Sequence, residues 1–115
     1  VGNESKLVTG LKQKFVDGVI SATANVQPFE IAQVYNDFKN NKLDENLNDK
    51  MIKVRQAFEG DGNNLTSAIH TFLSERNKNF LRLLPPLSLL GEQQKKELFS
   101  KLKELNFIPK TNIAA

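Results

Sequence analysis

Apolar residues at helical spacing, in one segment after another, constrain this chain more than any other feature. In the first segment, about Glu4 to Ala22, Leu7, Leu11, Phe15 and Val19 recur every four residues, with Val8, Val16 and Ile20 beside them. A stripe of that period is one face of an amphipathic helix. Asn3 or Ser5 is placed to cap its start. Gly10 and Gly18 lie inside the stripe. Each costs about 1 kcal/mol against Ala, so close approach of another helix is their expected use, with an opening for a ligand as the alternative.

The same pattern recurs four more times. A second helix is expected from Pro28, a residue suited to the first helical position, with Phe29, Ile31, Ala32, Val34, Tyr35 and Phe38 on its stripe and Asn40-Asn41 ending it. Asp44 is the expected N-cap of a third, which carries Leu47, Met51, Ile52, Val54 and Phe58 and stops at Glu59-Gly60-Asp61-Gly62. A fourth starts at Asn63 or Asn64 and carries Leu65, Ala68, Ile69, Phe72 and Leu73. The polar tract Arg76-Asn77-Lys78-Asn79 weakens the stripe before Phe80, Leu81, Leu83 and Leu84 resume it, so this helix is expected to be long, or bent near Asn77. Pro85-Pro86 forces extended backbone. The last helix begins at Leu89, capped by Ser88, or later near Glu92, and its seam is Leu98, Phe99, Leu102 and Leu105, closed by Asn106. Phe107-Ile108-Pro109 is expected to tuck against the bundle, and residues 1–3 and 110–115 to fray. No segment alternates as a half-buried strand does. The expected fold is therefore all-α, a bundle of about five amphipathic helices in a single domain spanning residues 1–115.

Composition narrows the chemistry. The 115 residues include no Cys and one His, which excludes disulfides, thiolate zinc sites, cysteine nucleophiles and any site needing two imidazoles. The formal charge of +3 is uneven. Residues 1–75 carry 8 basic and 10 acidic side chains, a net of −2; residues 76–115 carry 8 and 3, a net of +5. That asymmetry fits an anionic partner at the C-terminal end, either a membrane surface or an acidic protein, or else a simply solvated helix face. Nucleic acid is not expected: only Arg76 and Arg82 of those basic residues are Arg, there is no Trp, and Tyr35 is the only Tyr. The greasiest stretch, Phe80 to Leu90, is broken by Arg82, Pro85, Pro86 and Ser88, so no transmembrane segment is expected. The first residue is Val1, as in a processed mature chain or an excised domain. The sequons Asn3-Glu4-Ser5 and Asn64-Leu65-Thr66 lean towards secretion, and the lack of disulfides leans towards the cytosol.

No constellation of catalytic residues is legible. His70 lies beside the Ile69/Phe72/Leu73 stripe, and Ser74 and Glu75 stand in no recognised relation to it, so a boundary histidine is expected. Asp61-Gly62-Asn63 opens like a calcium loop, but Leu65, Thr66 and Phe72 fall where that loop needs an Asp or Asn, a Gly and a Glu. Asp44, Glu45 and Asp49 cluster at a helix start, where the dipole alone favours acid. Gly60 and Gly62 precede no Lys-Ser/Thr pair. An enzyme, a metal site and a cofactor are not expected.

What remains is apolar material: eight Phe, fifteen Leu, and a segment from Phe80 to Leu90 in which seven of eleven residues are Leu or Phe. One core can absorb all of it. An outward patch would instead serve a protein partner, with Arg82, Leu87, Leu89, Leu90, Lys95, Lys96, Lys101 and Lys103 as the expected contacts. An inward cavity would hold a fatty acid or similar apolar ligand, lined by Phe15, Phe38, Phe58, Phe72 and Phe99, one from each expected helix. A non-enzymatic binding protein acting on a protein partner is the leading expectation, a carrier of a hydrophobic small molecule the second, and attachment to an anionic surface the third. The chain shows no motif by which a family can be named.

Overall fold

A computed structural model describes residues 1–108. Five α-helices follow in order: α1 Leu7–Lys12, α2 Pro28–Lys39, α3 Glu45–Glu59, α4 Leu65–Ser74 and α5 Glu92–Glu104. Three 3₁₀ turns, Glu4–Lys6, Ala22–Asn25 and Lys78–Leu81, sit between or before them. No strand occurs among the described residues, and the all-α bundle stands. Pro109 and residues 110–115 lie outside the described range.

Local chemistry sets most boundaries. Pro28 opens α2. The Asp44 carboxylate accepts from the amides of Asn46 and Leu47 at 2.9 and 3.2 Å, capping α3. Gly60 ends α3 at φ +53°, where an added Cβ would stand 2.5 Å from the Asn63 side chain. Asn64 caps α4 through the Ser67 amide at 3.1 Å. After α4 the chain bends at Asn77, whose side chain caps the short 3₁₀ turn. The Pro85–Pro86 bond is cis. α5 takes the later of the two expected starts: Gly91 is its N-cap, and Gln94 Oε1 accepts from the Gly91 amide at 3.3 Å. Residues 1–3 hydrogen-bond to the chain. The Val1 nitrogen donates to Gly18 O at 3.0 Å, the Ile20 amide to Val1 O at 2.9 Å, and Asn3 caps the first 3₁₀ turn.

The first helix is the main correction. It ends at Lys12, not near Ala22. The Phe15 amide reaches Gly10 O at 3.1 Å and the Lys14 amide reaches Leu11 O at 3.2 Å, with Lys14 at φ +60°. That pair of bonds around a left-handed residue is a Schellman stop. The stripe continues past Lys12 in sequence only. Val16 folds back so closely that a Cβ on Gly10 would lie 2.6 Å from its side chain, whereas nothing lies within 4 Å of one on Gly18. A continuous helix would set Ser21 about 25 Å from Glu4, at 1.5 Å per residue. The reversal instead brings the Ser21 hydroxyl into a hydrogen bond with the Glu4 carboxylate. Asn41 and Asn106, at φ +57° and +52°, end α2 and α5 by the same Schellman pattern, and Asn tolerates that conformation better than Lys. Lys14→Gly is therefore expected to raise stability by about 0.5–1 kcal/mol, read as a higher urea midpoint at unchanged m-value.

α3 stands between two apolar clusters. Val54, Ala57 and Phe58 of α3 join Val26, the α4 residues Ala68, Ile69, Phe72 and Leu73, and the α5 residues Leu98 and Leu102. Met51, one turn earlier, joins Leu7, Val8, Leu11, Ile31 and Val34 from α1 and α2. The sequence suggests one core; the described residues form two clusters, sharing a central helix.

Candidate functional site

The residues expected to meet a partner are not gathered into one patch. Arg82 is exposed, and beside it Leu81 and Leu84 leave 51% and 83% of their surface in solvent. Leu87 and Leu89 are half-buried. Leu90 is structural: it packs on the larger cluster, and its amide donates to Thr71 Oγ1 at 3.0 Å. Lys95 pairs with Glu75 at 2.9 Å, and that hydrogen bond, with the Glu75 charge behind it, holds its ammonium above the ordinary lysine range. Lys96, Lys101 and Lys103 are exposed. Lys101 borders a hollow with Lys53 and Gln56, while Lys103 borders one with Phe72, Phe99 and Phe107, so these two charges flank different sides of α5.

The five phenylalanines do not converge either. Phe15 leaves the end of α1 83% exposed, and Phe38 packs on the smaller cluster. Phe58 is wholly buried and meets Phe72 edge-on at 5.4 Å; Phe72 in turn stacks on Phe99 at 5.9 Å. These three fill the larger core, as aromatic pairs at such spacings do. His70 is a boundary residue, its Nδ1 3.0 Å from Phe80 O and its ring edge-on to Phe80. Asp44, Glu45 and Asp49 belong to the start of α3; among the described residues no group of three or more Asp, Glu and His is placed to hold a metal ion. No helix among them is long and apolar enough to cross a membrane.

Sequence reasoning passes over a buried polar network at the centre of the fold. Glu4 is fully buried. Its carboxylate accepts from Ser21 Oγ, Thr23 Oγ1, Gln27 Nε2 at 3.1 Å and Arg55 Nη1 at 2.8 Å. Arg55 also donates to Ser21 Oγ at 3.0 Å and through Nε to Glu59 at 2.6 Å. Buried carboxylates persist only when paired and hydrogen-bonded in this way. The Arg55–Glu59 spacing of four residues is the only part visible in sequence.

Gln27 links this network to a hollow of about 380 Å³. Its walls come from the first turns of α2 (Phe29, Glu30, Gln33), from α3 (Leu47, Lys50, Met51, Val54) and from Asn106, Phe107 and Ile108 after α5. Gln27 is fully buried, and both Nε2 hydrogens are used, on Glu4 Oε1 and on Met51 O at 3.0 Å. That fixes the amide, since a flip would face Oε1 against two acceptors. Oε1 itself has no hydrogen-bond partner, and neither does the buried Glu30 Oε2. Lys50 Nζ, at the rim, donates to Asn106 O at 3.3 Å.

No protein-family model, no curated protein and no solved structure matches this chain.

Proposed function

We propose that the protein is a non-enzymatic interaction module. Its C-terminal third docks on an acidic protein partner through an apolar and basic surface. The observation that carries this reading is Leu84. It is a large apolar side chain 83% exposed, held out by the turn over Pro85-Pro86, with Leu81 and Arg82 beside it. Folded chains leave such groups in water at a cost, and contiguous ones mark contact surfaces. Lys78, Arg82 and Lys96 are exposed on the half of the chain that carries the net +5, which supports an acidic partner surface.

Quantitative proximity labelling of the full chain tests this against Leu84→Asp. The expected result is an acidic protein enriched by the wild type, depleted at least about ten-fold by Leu84→Asp and retained less at high salt. An enriched set that Leu84→Asp leaves unchanged, or self-association alone in sedimentation, overturns the reading.

A further inference from the structure

The fold treats the two sequons, Asn3-Glu4-Ser5 and Asn64-Leu65-Thr66, differently. In the first, Asn3 and Ser5 are half-buried, and Glu4 between them is fully buried in the polar network. In the second, Asn64 and Thr66 are both exposed, where the turn after α3 enters α4. We infer that Asn64 is a modification site, the acceptor of an N-linked oligosaccharide, and that Asn3 is not.

Asn64 already has a structural task, and that task spares the reactive atom. Its Oδ1 accepts from the Ser67 amide at 3.1 Å and so caps α4, while its Nδ2 donates to no group among the described residues. An N-linked sugar is carried on Nδ2 and leaves the amide carbonyl as it was, so the cap and the glycan can share one side chain. The neighbouring Asn63 shows the opposite arrangement, its Nδ2 donating to Phe58 O at 3.3 Å. The backbone suits a bulky substituent as well. Asn64 is extended, at φ −68° and ψ 123°, and the turn before it, Gly60-Asp61-Gly62, is exposed. Leu65, the middle residue of the sequon, packs on the larger cluster and anchors the turn while the residues on either side meet water. A glycan there keeps partners off the α3–α4 turn.

The step is a group transfer from a lipid-pyrophosphate-linked oligosaccharide. The Asn64 amide nitrogen bonds to the sugar C1, the bond from C1 to the pyrophosphate oxygen breaks, the amide gives up one proton, and the lipid pyrophosphate leaves.

Glycopeptide mapping of the full chain, isolated from the cells that make it, tests this. An oligosaccharide is expected on Asn64 and none on Asn3. An amidase that strips N-glycans leaves an aspartate in place of Asn64, and aspartate also caps, so the glycosylated and stripped forms should melt within about 3 °C of each other. In the full chain secreted from cultured animal cells, Thr66→Ala should abolish the glycan with the fold intact, and Asn3→Gln should leave it in place. Asn64 unmodified in the isolated chain overturns the inference, as does a glycan found on Asn3, or one that survives Thr66→Ala. Melting temperatures more than about 5 °C apart would show that the sugar displaces the cap, and overturn the shared use of the side chain. The map of the natural chain stands whatever the variants do.

Discussion

Arg55→Met is expected to lower folding stability by about 3–5 kcal/mol, a fall in Tm of about 10–20 °C for a chain of this size. The substitution keeps most of the side-chain volume and removes the guanidinium. Glu4 is then left fully buried with Ser21, Thr23 and Gln27 as donors but no positive charge. An uncompensated buried carboxylate is far costlier than a lost surface pair, whose worth is about 0–1 kcal/mol. The contrast is testable within one protein, since the Lys12–Glu45 pair at 3.6 Å has both partners more than half exposed. Removing both buried charges, in Glu4→Gln with Arg55→Met, should cost less than the two single changes summed, by about 1–3 kcal/mol. A single-variant loss under 1 kcal/mol would show that Glu4 keeps its water and that the network does not hold the N-terminal segment.

Phe58→Ala is expected to have a comparable effect, about 3–5 kcal/mol, by a different route. Phe58 is completely buried on α3 and meets Phe72 edge-on at 5.4 Å. Truncation removes its transfer free energy and leaves a cavity that its neighbours, pinned from α3, α4 and α5, cannot fill. Chemical denaturation should show a lower midpoint, and the larger cluster should lose hydrogen-exchange protection more than the smaller one built on Leu7, Leu11 and Met51. Phe15→Ala is the control. At 83% exposure it should change stability by no more than about 0.5 kcal/mol, although both residues are phenylalanines on apolar stripes at helical period.

That pair of residues shows where the sequence stops being legible. Phe15 and Phe58 look alike along the chain because each recurs at the right spacing for a buried face. Phe58 sits inside a helix with an Asp44 cap and a Gly60 stop. Phe15 sits beyond a stop that leaves no mark, because the left-handed residue is Lys14 and not a glycine. The expected partner surface was scattered for a related reason. Leu90 reads as one of several equivalent leucines until its amide is seen on Thr71, and Lys101 and Lys103, two residues apart on a helix, face different hollows.

The hollow was still less readable. Gln27 and Glu30, both on its wall, lie on either side of the start of α2, where sequence alone reports only a proline suited to opening a helix. Gln27 would ordinarily be expected to cap α2 or face water. Its side chain instead turns inward to Met51 O and Glu4, leaving α2 without a side-chain cap.

Helical period, side-chain caps and the prolines and glycines that break a helix act over four residues or fewer. The all-α class, the central helix, the ends of α2 and α3 and the start of α4 were therefore already present in the order of residues. Whether a stripe is buried depends on what lies across from it, and that is a long-range matter. Glu4 meets partners 17, 19, 23 and 51 residues away, and those contacts turn the chain back after Lys12. The same folding-back leaves Phe15 exposed. Burial of a charge and the donors it needs are properties of three-dimensional proximity, which composition and spacing do not contain.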